Sequence, residues 1–253
     1  MTAPLFLAGP SAPTDPPDLG SLRPGGEVRL GGDEARHAVS VRRLRPGEQV
    51  LLGDGAGLRV GAVVAAAEPS GLRLRVESVE REPAPSPRFV LVQALAKAGR
   101  DEQVVEQATE LGVDEVVAWQ AERSVVVWRG DRAERSRRRW ELVARAAAKQ
   151  SRRAWLPVVS GPERTPQLCR RVAGASLALL LHESATQPLA EVSLPGGGEV
   201  VLVVGPEGGI SDAELGVLAG AGAVAVRLGS TVLRTSTAGP AALAVLSAAA
   251  RWR

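Results

Sequence analysis

The sequence predicts an α/β protein in which a mostly parallel sheet follows a smaller, β-rich module. From residue 88 onward, β-branched apolar runs alternate with helical patterns, which is typical of a parallel sheet covered on both faces. Two of these runs end in glycine-bearing polar loops. The first 82 residues instead contain short apolar runs separated by turn residues, which is typical of a compact β module.

Composition sets the outer limits of the prediction. With 253 residues, 45% of them apolar and 23% charged, the chain fits one or two ordinary globular domains. It has no run of 18 apolar residues, and its first 13 residues combine prolines with no basic stretch, so we expect neither a membrane span nor a signal peptide. The single cysteine, Cys169, permits no internal disulfide. We therefore expect a cytoplasmic protein, with no metal and no membrane partner.

The amino-terminal module is predicted to span residues 1–82. Predicted strands cover Gln49–Leu52, Leu58–Ala67 and Leu72–Val79, and Asp33–Leu44 reads as one short helix opened by an aspartate cap. A linker follows at 82–87, where every second residue is proline and neither a strand nor a helix can continue. The second domain is predicted to span 88–253.

The second domain begins with a strand at Phe89–Leu95, a helix at Asp101–Leu111 closed by Gly112, and strands at Glu115–Trp119 and Arg123–Val127. A helical segment, Arg129–Arg153, then carries ten basic residues against three acidic ones. Such a cluster can lie along nucleic-acid phosphates, whose contacts dominate affinity. A solvated helix face is the alternative explanation.

Three strands end near candidate ligand residues. The strand Ser176–His182 runs into Glu183, Val200–Val204 runs into the turn 205–209, and Val224–Leu228 runs into a polar loop before an alanine-rich helix. Ser211 and Glu214 have the spacing of a capping box. Loops at the carboxyl ends of parallel strands form ligand crevices, so we expect a small polar cofactor here. Because the P-loop and G-x-G-x-x-G patterns are absent, neither familiar nucleotide motif explains the turn.

These motifs resemble a known family. Val204-Gly205-Pro206-Glu207-Gly208-Gly209, Leu228-Gly229, Val232-Leu233-Arg234-Thr235 and Thr237-Ala238 are similar to motifs of the ribosomal RNA small subunit methyltransferase E family, which belongs to the SPOUT class. The segments HAVSVRRLRPGEQVLLGDGAG and KAGRDEQVVEQATELGVDEVVAWQAERSVV carry the resemblance across both domains. It implies a carboxyl-terminal trefoil knot, a PUA-like RNA-binding β-barrel at 1–82, and a homodimer. It also implies S-adenosylmethionine as cofactor and methylation of N3 of a uridine in 16S rRNA of the small ribosomal subunit.

The resemblance also implies site residues. The cofactor contacts would be Leu181, His182, Glu183, Val204, Gly205, Pro206, Glu207, Gly208, Leu228, Gly229, Val232, Leu233, Arg234, Thr235 and Thr237. Together with the basic clusters, it indicates RNA contacts at His37, Arg42, Arg43, Arg45, Lys97, Arg123, Arg138 and Arg152.

The implied reaction suggests catalytic candidates. Methyl transfer from a sulfonium is an in-line displacement, so catalysis rests mainly on positioning. Loss of the N3 proton leaves negative charge on the uridine carbonyl oxygens, which a fixed cation would stabilise, and a carboxylate could take the proton. Arg234 is the first candidate for the cation. Arg153 is the second, and the partner subunit could supply it. Glu207 could be structural or act in acid–base catalysis.

Two positions depart from the family pattern. Ser236 and Lys149 both stand where glutamate is usual. If the carboxylate at 236 were the base, this protein would be impaired or would need another group. Two alternatives therefore stay open: a SPOUT enzyme acting on another RNA or atom, such as a ribose 2'-oxygen, and an RNA-binding factor with impaired catalysis.

Overall fold

The computed structural model describes residues 3–8, 18–68, 71–97 and 99–252. The chain forms two compact units, one of residues 1–84 with 148–156, the other of residues 85–147 with 157–253. The segment 148–156 was predicted to be part of the second domain, whereas it belongs to the first unit. Backbone bonds hold it there, because Gly57 N–H donates to Ala154 O (3.0 Å) and Leu156 N–H donates to Gly55 O (2.9 Å).

The first unit contains a five-stranded sheet in the order β1-β3-β4-β5-β2. Its strands are β1 (Leu5–Leu7), β2 (Glu27–Leu30), β3 (Gln49–Gly53), β4 (Leu58–Glu68) and β5 (Gly71–Arg81). The pairing of β1 with β3 is parallel and the others are antiparallel. The three predicted strands are confirmed, while β1 and β2 were not predicted. Phe6, Leu52, Leu72 and Leu74 lie in the apolar core of this unit.

The predicted helix of the first unit is shorter and differently capped. An α-helix, α1, covers Gly32–Arg36 and continues as a π-helical turn at His37–Val41. The aspartate cap was wrong, because the cap position is Gly31 and Asp33 lies in the first turn. There the Asp33 carboxylate accepts from the Arg36 guanidinium at 3.2 Å. A separate 3-10 turn lies at Leu19–Ser21.

The second unit is built on a six-stranded sheet in the order β11-β9-β10-β6-β7-β8. Every pairing in it is parallel, which confirms the expected α/β class with a parallel sheet. The strands are β6 (Arg88–Ala94), β7 (Glu115–Trp119), β8 (Val158–Glu163), β9 (Leu177–Leu181), β10 (Glu199–Val204) and β11 (Val224–Val226). The helices are α2 (Arg100–Glu110), α3 (Gly130–Gln150), α4 (Thr165–Gly174), α5 (Asp212–Gly220) and α6 (Thr235–Ala250), with a 3-10 turn at Leu189–Glu191.

Some predicted elements of the second unit need correction. The strand expected at Arg123–Val127 is wrong, since this segment is irregular and begins with a turn in which Ser124 N–H donates to Ala121 O (3.0 Å). The last strand ends at Val226, two residues before the predicted Leu228. Strand β8 and helix α4 were not predicted.

The sheet of the second unit is buried on both faces. Alternate residues of β6 enter different cores: Phe89 and Leu91 enter one, and Val90 and Val92 enter the other. This two-sided burial explains why the central strands are apolar throughout rather than alternating. Among the described ranges, no helix is both long enough and apolar enough to span a bilayer.

Candidate active site

A cavity of about 670 Å³ lies at the carboxyl ends of β9, β10 and β11. The loops that follow these three strands supply most of its wall. Every residue that the resemblance assigned to the cofactor lines this cavity, with the exception of Thr237. The wall also contains residues that were not assigned to the cofactor: Arg100, Arg123, Gly209, Ile210, Asp212, Val226, Arg227, Thr231 and Ala238.

The turn after β10 depends on its glycines. Gly209 has a φ of +74°, a left-handed conformation that only glycine adopts without strain. A Cβ on Gly205 would lie 2.6 Å from Ile210 Cγ1, and one on Gly208 would lie 3.3 Å from Arg123 Cβ. The turn can therefore fold tightly and present backbone, rather than side chains, to the cavity.

The predicted capping box at the start of α5 is half confirmed. Ser211 is the N-cap, and its hydroxyl accepts from Glu214 N–H at 3.2 Å. The return bond from Glu214 to the cap is replaced by a longer-range contact. The buried Glu214 carboxylate accepts from Glu122 N–H (2.9 Å) and from the Thr165 hydroxyl (2.7 Å). It therefore fixes the loop after β7 rather than its own helix end.

The loop after β7 is fixed at two further points, one at the N-cap of α5 and one at the glycine turn. The Ser211 hydroxyl donates to Glu122 Oε2 at 2.6 Å. Arg123 Nη1 donates to the Gly208 carbonyl at 3.3 Å, and Arg123 lines the cavity. The structure thus brings Arg123, predicted as an RNA contact, together with the predicted cofactor residues.

The loop after β6 binds the glycine turn through Glu207. Its carboxylate accepts from Lys97 N–H at 3.3 Å and lies 3.8 Å from the Arg100 guanidinium. These contacts favour the structural role over the acid–base role that the sequence left open. Arg100 was not predicted as a site residue. Its place three residues after Lys97, just past the carboxyl end of a strand, was the available signal.

Arg234 contributes a cation to the cavity wall. It is the N-cap residue of α6, and its carbonyl accepts from Thr237 N–H (2.8 Å) and Ala238 N–H (2.9 Å), so its backbone is fixed. Within the described ranges, its guanidinium has neither a hydrogen-bond partner nor an ion pair. Thr237 contributes its N–H to this cap, is exposed and does not line the cavity. Arg153 lies in the segment 148–156 and is not among the lining residues.

The two departures from the family pattern have structural explanations. Ser236 lies in the first turn of α6, is only 9% exposed and does not line the cavity. Lys149 forms a two-pronged ion pair with Glu34, at 2.7 and 2.9 Å, in which the Glu34 side chain is 11% exposed. Its ammonium also lies 5.9 Å from the centre of the Phe6 ring. Lys149 therefore serves the packing of the first unit.

Most of the remaining predicted RNA contacts belong to the first unit. Arg42, Arg43 and Arg45 are exposed just after the π-helical turn, and Arg43 has a left-handed φ of +54°. His37 is partly buried, and its ring and the Phe6 ring form an edge-to-face pair with the ring centres 6.4 Å apart. Arg152 has a φ of +56°, and its carbonyl accepts from Arg59 at 3.3 Å.

Helix α3 divides its arginines into paired and unpaired groups. Arg137 binds Glu134 and Glu141, and these bonds raise the pKa of Arg137 and lower the pKa of Glu134. Arg139 pairs with Glu102 at 2.7 Å. In contrast, Arg132, Arg135 and Arg138 are at least partly exposed at three-residue spacing, and no hydrogen-bond or ion-pair partner for them lies in the described part of the chain. We call these three residues the arginine stripe.

No group of three or more His, Cys, Asp or Glu side chains that could hold a metal ion occurs among the described residues. Of the carboxylates that line the cavity, Glu207 is held by a backbone donor and an arginine, and no donor to Glu183 or Asp212 lies in the described part of the chain. The site is therefore suited to binding and orienting a polar organic ligand.

Comparison with known proteins gives the family. Residues 82–247 match a family model described as an RNA methyltransferase domain, and residues 30–77 match one described as an RNA methyltransferase PUA domain. A Mycobacterium bovis protein named ribosomal RNA small subunit methyltransferase E is 47% identical over 241 residues, which cover 93% of this chain and 90% of that protein. The chain belongs to the ribosomal RNA small subunit methyltransferase E family.

Solved structures of similar proteins extend over the whole fold. A ribosomal RNA small subunit methyltransferase E from Neisseria gonorrhoeae, bound to S-adenosyl methionine, has a TM-score of 0.81 at 26% identity, with 98% of each chain covered. A Legionella pneumophila protein in complex with bound cofactor SAM has a TM-score of 0.83 at 29% identity, again with 98% of each chain covered. Both structures are thus similar to this chain over both of its units.

Proposed function

We propose that this protein transfers a methyl group from S-adenosylmethionine to N3 of a uridine in 16S rRNA of the small ribosomal subunit. One observation carries the proposal: three loops at the carboxyl ends of neighbouring parallel strands converge on one cavity, and Arg234 in its wall has no partner among the described residues. Family membership supplies the reaction class, and the PUA match supports RNA as the substrate.

The residues of the cavity fit this cofactor. Its volume lies within the range of small-molecule sites, about 300–1,000 Å³. The glycine turn offers backbone N–H and carbonyl groups that can bind the adenine edge, because no Cβ stands between them and a ligand. Leu181, Leu228 and Leu233 offer apolar surface, and the Glu183 carboxylate can accept from ribose hydroxyls. When bound, the cofactor supplies an electrophilic methyl group on a sulfonium.

Arg234 has the position and charge required for electrostatic stabilisation. A uridine that loses its N3 proton holds negative charge on its carbonyl oxygens, and a fixed guanidinium stabilises that charge best where water is scarce. The helix cap fixes the Arg234 backbone at the cavity wall, and its exposed guanidinium, which has no partner among the described residues, can turn towards a bound uridine. Arg153, from the first unit of a partner subunit, remains the second candidate.

Serine in place of the family's usual glutamate at position 236 does not remove a carboxylate from the cavity wall, because residue 236 does not line it. Three carboxylates line the cavity, Glu183, Glu207 and Asp212, and only Glu207 has donors among the described residues. A proton acceptor is thus available without residue 236. This position of Ser236 weakens the alternative of an impaired binding factor.

We also propose the trefoil knot, the PUA-like barrel and the homodimer for this chain. Support for the knot comes from α6, which follows the last cavity loop and contacts β6, β10 and the 3-10 turn at Leu189–Glu191. The hydroxyl of Thr235 donates to the Gly205 carbonyl at 2.7 Å, which ties the start of α6 to the earlier loop. In this proposal the barrel and the arginine stripe hold the RNA.

The test is methyl transfer from labelled S-adenosylmethionine to small ribosomal subunits from cells that lack the corresponding gene. Nucleoside analysis should reveal 3-methyluridine, and subunits from cells that retain the gene serve as the control because their site is already methylated. A different methylated nucleoside would move the activity to another atom. Cofactor binding without any transfer would favour the binding factor instead.

A further inference from the structure

A buried amide lies directly behind the cavity. Gln93, at the carboxyl end of β6, is 0% exposed. Its Nε2 donates to the Thr235 hydroxyl oxygen at 2.9 Å and to its neighbouring Ala94 carbonyl at 3.2 Å. The Thr235 hydroxyl in turn donates to the Gly205 carbonyl at 2.7 Å. Gln93 itself is not a lining residue, whereas Thr235 and Gly205 both are.

The direction of this chain of hydrogen bonds is determined by the chemistry of its members. A threonine hydroxyl has one hydrogen, and here it is used on Gly205. Thr235 can therefore only accept from Gln93, which requires the NH₂ side of the amide to face it. The opposite orientation would turn the glutamine oxygen towards Thr235 and draw the hydroxyl hydrogen away from Gly205.

The unused half of the amide supports the same orientation. The Oε1 atom of Gln93 is buried and has no hydrogen-bond partner in the described part of the chain. It lies towards Gly239, where a Cβ would come within 3.3 Å of it. A buried acceptor without a partner lowers stability, so an apolar side chain of similar size would suit folding alone at least as well. The value of glutamine at this position is its donor.

We propose that Gln93 is a positioning residue for the cofactor site. Acting through Thr235, it fixes the carbonyl orientation of the glycine turn and joins that turn to the start of α6, where Arg234 lies. Two loops from different strands are thereby held in one geometry in the free protein. Because displacements of about 1 Å can cost about a hundredfold in rate, such a device matters for transfer as well as binding. The inference rests on the proposed function.

The decisive variant is Gln93→Met, which keeps the length of the side chain and removes the donor. We expect the dissociation constant for S-adenosylmethionine, measured by calorimetry, to rise about three- to tenfold. The KM for the cofactor should rise in parallel, while the thermal midpoint stays close to that of the wild type because the unpaired acceptor is also removed.

A matched control lies on the same helix. Ser247 is 0% exposed, and its hydroxyl donates to the Leu111 carbonyl at 2.9 Å, near the other end of α6. Ser247→Ala also deletes one buried hydrogen bond of α6, so it should lower the thermal midpoint and leave cofactor affinity unchanged. The opposite patterns of the two variants separate positioning from general stability.

A double-mutant cycle tests whether the two side chains act as a unit. Thr235→Val removes the hydroxyl, and Thr235→Ser should recover most of the affinity that Thr235→Val loses. Adding Gln93→Met to Thr235→Val should cause no further loss, because the relay is already broken. Full additivity of the two losses would overturn the proposal.

A measurement in the free protein separates this inference from the proposed function. Hydrogen exchange of the Gly209, Thr237 and Ala238 amides, which close the glycine turn and the first turn of α6, should accelerate in Gln93→Met and not in Ser247→Ala. If the wild type binds no S-adenosylmethionine, the proposed function fails, and exchange still decides whether Gln93 orders the turn. If affinity and exchange are both unchanged in Gln93→Met, the positioning role fails alone.

Discussion

The two edges of the parallel sheet use the same charged residue types in different ways. At the amino edge, Asp114 accepts from Phe89 N–H (2.8 Å) and forms an ion pair with Arg251. Arg251 also donates to the Pro87 carbonyl (2.6 Å) and stacks over the Phe89 ring, with its guanidinium carbon 3.9 Å from the ring centre. Cation and carboxylate are both largely buried, so this cluster is closed to ligands.

At the carboxyl edge the carboxylates bind loops, and the Arg234 cation has no carboxylate partner among the described residues. Glu214 and Glu207 accept mainly from backbone and hydroxyl groups, whereas the Arg234 guanidinium in the cavity wall has no partner in the described part of the chain. An arginine that is enclosed by a carboxylate stabilises the fold, whereas one that lines a cavity without a partner is available to a ligand. Pairing, rather than residue type, therefore distinguishes the two roles.

The largest expected effect concerns the closed edge. Asp114→Ala leaves the Phe89 N–H and the Arg251 guanidinium without their buried acceptor, so it should lower the free energy of unfolding by about 3–5 kcal/mol. Urea denaturation measures this. Asp33→Ala, which breaks an exposed pair with Arg36, should cost less than about 1 kcal/mol. Equal losses in the two variants would contradict the comparison.

The next effect concerns the open edge. Arg234→Ala should reduce the rate of methyl transfer about 10²- to 10³-fold, since the proposed electrostatic contact to the reacting base is lost. The thermal midpoint should not change, because the side chain has no partner to lose among the described residues. Single-turnover transfer to small subunits provides the measurement. A control at the exposed Arg170 of α4, Arg170→Ala, should leave the rate unaltered.

A smaller effect is expected on α3. Replacing the arginine stripe (Arg132, Arg135 and Arg138) by glutamine should weaken binding to small subunits and reduce the slope of log K against log salt by about two to three. The matched control replaces the paired Arg137 and Arg139 by glutamine. Because their charge is already balanced within the protein, the slope should change much less. If both variants changed the salt slope equally, the arginine stripe would be a solvated helix face rather than an RNA contact.

The smallest effect concerns pH. Burial raises the pKa of the Asp101 carboxyl above its ordinary value of 3.8, although bonds from Glu102 N–H and Trp140 oppose the shift. The stabilisation that comes from the protonated form is present below 3.8 and is lost as pH rises through the raised value. Asp101→Asn removes this dependence, so the unfolding free energy of the wild type should fall relative to that of the variant as pH rises from about 3.5 to about 7.

The stability contribution of Glu134 should depend on pH in the opposite direction to that of Asp101. Its pKa is lowered by the bond to Arg137, so its contribution is present above its ordinary value of 4.5 and is lost as pH falls. The difference between wild type and Glu134→Gln should therefore shrink towards low pH. If the contributions of Asp101 and Glu134 to the unfolding free energy changed with pH in the same direction, the causes assigned to their pKa shifts would be contradicted.

Local patterns sufficed for the central strands of the parallel sheet and for the position of two loops of the site. A run such as Val200–Val204 has the composition of a strand in a two-sided core, and the carboxyl ends of parallel strands meet at one edge. The loops after Val204 and Leu228 could thus be grouped from local pattern, whereas the individual cofactor residues, including those at 181–183, were implied by the family resemblance. Gly112, with its φ of +95°, was likewise evident from its place after a helix.

Local patterns failed where a side chain has a distant partner. Glu214 has the spacing of a capping residue, yet its Oε1 atom accepts from Glu122 N–H, 92 positions earlier. The segment Arg123–Val127 has strand composition, but Arg123 is held by Gly208, 85 positions later, and the backbone turns instead. No short window of sequence contains such competition, so these contacts could not be predicted.

The return of residues 148–156 to the first unit has a consequence for synthesis. The indole of Trp155 donates to the Glu82 carbonyl at 3.2 Å, and Lys149 neutralises Glu34, so the amino-terminal module gains contacts from residues far beyond its apparent end. A nascent chain that has emerged only to residue 84 cannot finish folding this module. The unit that we propose to hold the RNA is therefore completed only after α3 has left the ribosome, the particle whose RNA we propose that the protein modifies.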